Sequence, residues 1–143
     1  MLSRNILFYK KLNLEDNFET RIYLMFIHFS IMMKVSKRKG IKFDQSSYDL
    51  LFHNIENNLR ELGFGDVSVN KKMKEYVNMF YAILDKIEVT DMSIDENIAN
   101  FFRKIFNLDK NIKFYANYYK KYNEYLSNNT LNNFTKDIIN HNF

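Results

Sequence analysis

The chain has 143 residues, a formal net charge of +4 and a pI of about 9.1, with no cysteine, no proline, three glycines, 14 phenylalanines and 10 tyrosines. Without cysteine there is no disulfide, no thiolate metal site and no cysteine nucleophile. The longest apolar stretch, Ile22 to Met33, is interrupted by His28 and Ser30 and falls short of the roughly 20 residues of a membrane span.

Scarce proline and glycine favour long helices with few connections, in a length that fits one domain able to bury its own core. Met1 to Leu14 is free of acids and carries Arg4, Lys10 and Lys11; Ser3 to Leu12 reads as a short first helix, with a weak organellar presequence as the alternative. Asn13 and Asp16 offer cap oxygens for a long helix over Asn17 to Lys39. In it Phe18, Ile22, Met25, Phe29 and Met32 share one face, and Leu24, Phe26, Ile27 and Ile31 widen the stripe until most of the circumference is apolar. Such a helix is expected at the centre of a fold. It ends in the basic run Lys34, Lys37, Arg38 and Lys39, with Gly40 as its stop.

Asp44 or Ser46 caps the next helix, whose stripe is Tyr48, Leu51, Phe52, Ile55, Leu59 and Leu62, with Gly63 at its end. After the short link Gly63-Phe64-Gly65-Asp66, Ser68 is the expected cap of a helix carrying Val69, Met73, Tyr76, Val77, Phe80, Leu84 and Ile87. Lys71 and Lys72 then fall in a first turn, where cations oppose the helix dipole. Ser93-Ile94-Asp95-Glu96 matches a capping box ahead of Ile98, Phe101, Phe102 and Ile105. Asn111 to Leu126 reads as a further helix, and Leu131 to Phe143 as a last short helix or a frayed tail. With no strand pattern and no repeat, the expectation is one all-α domain over residues 1–143, built of about six or seven helices.

Little in this pattern organises a reaction. His28, His53 and His141 lack metal-binding spacing, and Glu15-Asp16 and Asp95-Glu96 sit where first helical turns favour negative charge. Gly63 and Gly65 form a Gly-x-Gly with no strand before it, so no phosphate loop is expected. The chain reads as a non-enzyme without a cofactor. The exception to weigh is His28 on its aromatic helix, a conceivable haem ligand whose ordinary role is a packed core imidazole. Two basic patches remain, Lys34 to Lys42 and Arg60 with Lys71, Lys72 and Lys74; each reads as a solvated helix end or as a docking face for RNA or anionic lipid.

The stretch Leu59-Arg60-Glu61-Leu62-Gly63-Phe64-Gly65-Asp66-Val67-Ser68-Val69-Asn70-Lys71-Lys72-Met73-Lys74 resembles the signature of the ubiquinol–cytochrome c chaperone family. Phe80-Tyr81 further on, Phe18-Glu19-Thr20-Arg21 with the Leu24-to-Ile31 segment around His28, and Asp49-Leu50-Leu51-Phe52 extend the likeness over roughly residues 8–90. Two departures stand out: Asn70 where the family usually has proline, and Ala82 where glycine commonly follows Phe-Tyr. Beyond residue 90 the helices rest on periodicity alone.

The resemblance implies an all-α, non-enzymatic assembly factor of short bacterial type. Such a protein holds newly made cytochrome b for assembly of the ubiquinol–cytochrome c reductase complex (complex III). It would work in the cytoplasm or at the inner face of the bacterial inner membrane (the matrix side in a mitochondrion), near the ribosome exit region or with a small partner protein. No DNA partner is implied. A holdase for membrane helices needs an adaptable apolar surface, so Met25, Phe26, Phe29, Met73, Phe80 and Tyr81 are the expected client contacts, received in a helix-in-groove manner. Arg60, Lys71, Lys72 and Lys74 are the expected docking face, with Arg60 also placed to reach Asp66 or the carbonyls before it. A general RNA- or ribosome-binding module and a haem-handling protein using His28 are the rival readings.

Overall fold

The computed structural model describes Leu14 and residues 17–107 and 112–128. These form five helices and, among the described residues, no strand: α1 (Phe18–Arg38), α2 (Gln45–Glu61), α3 (Asp66–Val89), α4 (Asp95–Phe106) and α5 (Ile112–Asn128). The fold is all-α, as expected. The helices anticipated over Ser3–Leu12 and Leu131–Phe143 lie outside the described residues.

The broad apolar stripe of α1 has the consequence its sequence implies. Every residue from Leu24 to Met32 is buried, because α1 packs against α3 on one side and α5 on another. α2 lies along α3, and α4 pairs with α5. Where α1, α2 and α3 meet, Phe26, Phe52 and Phe80 form a triangle with ring centroids 5.3–5.7 Å apart. Tyr76 presents an edge to Phe26 at 6.5 Å. The α4–α5 pair adds Phe102 against Tyr115 at 4.9 Å. Edge-to-face and tilted rings at these separations add attraction beyond the area they remove from water.

Several helix ends depart from their sequence reading. α1 is capped by Asn17, whose side chain accepts from the Thr20 amide at 2.8 Å. α3 starts at Asp66 with Gly65 as cap, so Ser68 sits inside the first turn instead of ahead of it. That earlier start puts Asp66 at the positive end of the dipole and moves Lys71 and Lys72 beyond the first turn, which removes their conflict with it. The capping box at Ser93 does not form. Its amide and hydroxyl both bond to Asp91 Oδ1, at 3.0 and 2.6 Å, and α4 starts after Ile94 with no side-chain cap. A local turn closed by Asp91 has won the competition for those donors. Asp44 caps α2 as expected, accepting from the Ser46 amide.

Gly40 and Gly63 close α1 and α2 in the same way. Each has a positive φ, +70° and +94°. In each case the glycine amide bonds the carbonyl three residues back, Gly40 to Lys37 and Gly63 to Arg60, and the next amide reaches five back: Ile41 to Ser36, and Phe64 to Leu59. This is the left-handed double hydrogen bond that satisfies terminal carbonyls. A Cβ at Gly63 would meet nothing within 4 Å, so the cost of a side chain there is backbone strain alone. Gly63→Val is expected to destabilise the domain by about 1–2 kcal/mol or somewhat more, since a left-handed conformation costs an L residue that much and β-branching adds to it. Gly65→Ala, equally open and at negative φ, should be close to neutral. Thermal unfolding of the two variants side by side checks the contrast.

Candidate functional site

The short turn after Gly63 positions a cleft. Phe64 follows the left-handed glycine directly, a position that often carries an apolar residue; its amide bonds the Leu59 carbonyl, and both residues line the opening. Phe64 and Leu62 remain 37% and 59% exposed. Together with Phe18 from the start of α1 and Tyr76 from α3 they wall an open cleft of about 320 Å³, with buried Leu59 in its lining. Phe18 meets Tyr76 edge-on at 6.4 Å. Two stretches far apart in the chain, Phe18–Glu19 and Leu59–Lys72, are thereby brought to one opening.

The rim carries both signs of charge. Glu19 and Glu75 lie on it, and the Tyr23 hydroxyl donates to Glu19 Oε1 at 2.7 Å. Burial, with Glu19 adding to it, pushes the Tyr23 phenol far above its ordinary range; burial with Glu19 and Glu75 does the same to Tyr76 more mildly. Both phenols are therefore neutral donors at any physiological pH. Lys72 stands over the Phe64 ring at 5.1 Å from its centroid, a cation–π contact that holds the aromatic in place. The walls suit apolar side chains, and the carboxylates suit a cation beside them.

The remaining expected site residues divide. Met25, Phe26 and Phe29 of α1 and Phe80 of α3 are core: none exceeds 3% exposure, with the Phe80 ring packed against Phe26, Phe29 and Phe52 and the Phe43 ring against Phe29. In this arrangement they support the surface rather than form it. Met73 is half-buried and Tyr81 is 54% exposed, its hydroxyl 3.4 Å from that of Tyr48. Of the signature residues, Leu59 and Val69 are buried, Met73 and Lys72 are half-buried, and Arg60, Glu61, Leu62, Gly63, Gly65, Asp66, Ser68 and Lys71 are exposed.

Arg60 is spoken for. Its guanidinium pairs with Asp66 across the link and with Glu56 one turn back at 3.2 Å, fixing the corner between α2 and α3. Lys71 and Lys74 stay exposed, so the expected basic face reduces to these two with Lys72 beside them. The other basic run is largely consumed in packing. Lys34 Nζ donates to the Ile87 carbonyl of α3 at 2.8 Å and Lys39 Nζ to the Leu126 carbonyl of α5 at 3.0 Å. Arg38 donates to the Ser127 hydroxyl.

His28 is sealed between α1 and α5. Nδ1 lies 2.6 Å from the Leu24 carbonyl, which can only accept, so Nδ1 carries the proton. Nε2 therefore accepts from the Tyr118 hydroxyl, also at 2.6 Å. Tyr118 and Tyr122 present ring edges to the imidazole at 5.5 and 4.9 Å. Burial lowers the His28 pKa to about 4. With both nitrogens engaged, no lone pair faces an iron in this arrangement, and the imidazole acts as a packed core group.

Periodicity missed Phe18, Tyr23, Glu75 and Tyr76 as partners in one cleft. The signal that was available is Phe64, a large apolar residue set between two glycines in a four-residue link, where burial is hardest to achieve. No helix among the described residues is long and apolar enough to cross a membrane. In comparison with known proteins, the family model described as "Ubiquinol-cytochrome C chaperone" matches residues 10–106, well over half of the chain. No curated protein and no solved structure matches.

Proposed function

Since the chain belongs to the ubiquinol-cytochrome C chaperone family, we propose that it acts without catalysis as a holdase for newly made cytochrome b during assembly of the ubiquinol–cytochrome c reductase complex, and that the cleft beside Phe64 receives the client. The observation that carries this reading is the convergence of two separate stretches resembling the family, Phe18–Glu19 and Leu59–Lys72, on one open apolar cleft. Its walls fit two or three apolar side chains of a helical segment, and Glu19 and Glu75 fit a cation at the end of that segment. Held there, the segment keeps its apolar face from water and from other chains until its own partners arrive.

A photo-crosslinking residue tests this. Placed at Leu62, it should yield an adduct with cytochrome b made in a cell-free reaction; placed at Phe114, an exposed aromatic on α5, it should yield little. Equal adducts at both positions, or none at either, would remove the cleft from the reading. In cells, loss of the protein should deplete complex III while sparing complex IV and translation.

A docking role for Lys71 and Lys74 is the second part of the reading, favoured by their exposure on the side of α3 that begins with Val67, itself 85% exposed. Their spacing, three residues apart, puts both on one face. Lys71→Glu with Lys74→Glu should leave thermal stability within about 0.5 kcal/mol. It should also weaken co-sedimentation with ribosomes and flatten its salt dependence by roughly two units of slope at most. Sedimentation with anionic vesicles, run alongside, tells an RNA surface from a lipid one. Unchanged association in both would leave these lysines as solvated surface.

A further inference from the structure

We propose that the recess between the end of α3 and the exposed side of α4 is a binding site for a small organic phosphate. The recess holds about 220 Å³ and is separate from the client cleft. It exists because α3 packs mainly on α1 and α2 while α4 packs mainly on α5, which leaves the facing sides of α3 and α4 apart. On α4, Asn100, Phe101, Lys104 and Ile105 recur at three- and four-residue steps and so share one face. Lys86 and Thr90, one turn apart at the end of α3, stand across from them.

The chemistry of the lining is one-sided. Lys86 and Lys104 both contribute, and among the described residues no carboxylate lines the recess. By contrast, the client cleft pairs Glu19 and Glu75 with Lys72, and the neighbouring recess on α4 and α5 sets Asp95 and Glu96 against Arg103 and Lys113. Among the described residues neither Lys86 nor Lys104 makes an ion pair or a side-chain hydrogen bond. The Asn100 carbonyl oxygen already accepts from Arg103 at 3.2 Å, so its amide NH₂ is the group left to offer. With the Thr90 hydroxyl, the site presents donors of two kinds, two of them cationic.

Two ammonium groups from two helices call for a doubly charged acceptor. A phosphate monoester meets both with charge-assisted hydrogen bonds, whereas a single carboxylate leaves one cation unmatched. Phe101, buried, and Ile105, half-buried, supply an apolar contact that inorganic phosphate alone does not use. The volume, equal to about seven waters of the liquid, admits a phosphate with a three-carbon attachment. The ligand class is therefore a phosphate on a short aliphatic stem, either a soluble ester or the head of a glycerophospholipid.

The test is a titration of the full chain with glycerol 3-phosphate, followed by amide resonances. Sedimentation with phosphatidylcholine vesicles, with and without phosphatidic acid, runs in parallel. Saturable shifts centred on Thr90, Asn100 and Lys104 are expected, with glycerol producing none. Lys86→Gln with Lys104→Gln should weaken binding at least ten-fold, while Lys121→Gln, at an exposed position on α5 outside the recess, leaves it unchanged. Lysine-dependent binding of the soluble ester alone assigns a free phosphate, and lysine-dependent binding of phosphatidic acid vesicles assigns a lipid head. Absence of both, or equal binding by the Lys86/Lys104 double variant, overturns the site.

Discussion

Phe80→Ala is expected to lower the unfolding free energy by about 3–5 kcal/mol, the range for truncating a fully buried phenylalanine. Phe80 has no exposed surface, and its ring lies within 5.3–6.2 Å of those of Phe26, Phe52, Tyr48, Tyr81 and Phe29. It packs on rings from α1 and α2 and on Tyr81 beside it, so the cavity opens where three helices meet and none can close it alone. Against a total stability of about 5–15 kcal/mol for a domain, such a loss is a large fraction of the whole. Denaturant unfolding gives the number. Phe80→Leu, which keeps most of the volume, should lose clearly less; a loss below about 1 kcal/mol for alanine would mean that this centre is not packed as described.

The second large effect is on pH dependence. His28 is neutral in the folded protein, with its pKa lowered by burial to about 4 from an ordinary 6.5. The unfolded chain binds a proton near pH 6.5 and the folded chain does not, so acid favours unfolding. Stability from this residue is fully present above about pH 6.5, falls as the pH drops toward 4, and levels off once the folded form is protonated as well. The difference corresponds to about 3 kcal/mol, at about 1.4 kcal/mol per pH unit. His28→Gln carries no such titration. Its stability between pH 7 and 4.5 should fall less steeply than that of the unaltered chain, whatever its starting value. Parallel curves would mean that the imidazole is not sealed. The carboxyls of Asp44 and Asp91, held low by bonds from Ser46 and Ser93, titrate in both proteins and cancel in the comparison.

What could be read from the sequence follows from what is local. The central role of α1 was written in its near-continuous apolar circumference, and the corner at Gly63 in the pairing of a helix-ending glycine with Arg60 and Asp66 on either side. Periodicity says which residues share a face, not which neighbour covers that face. Met25, Phe26, Phe29 and Phe80 have the composition of an adaptable groove and are interior because α1, α2 and α3 close on one another. The basic run ending α1 shows the same limit. Its cations reach carbonyls and a hydroxyl 53 to 89 residues later, and no local pattern announces such partners. The candidate cleft was half legible: the stretches that form it stood out one at a time, and only the packing of α1 against α3 brought them together.

The seam between α1 and α5 also dictates a schedule. His28 finds Tyr118 only after 90 further residues have been joined. At about 5–20 residues per second, the greasiest stretch of the chain leaves the ribosome roughly 5–20 s before its final cover has been made. For that interval the nascent chain presents an apolar surface that is open to aggregation. Slower translation across residues 30–110 prolongs the interval, and faster translation shortens the exposure to aggregation.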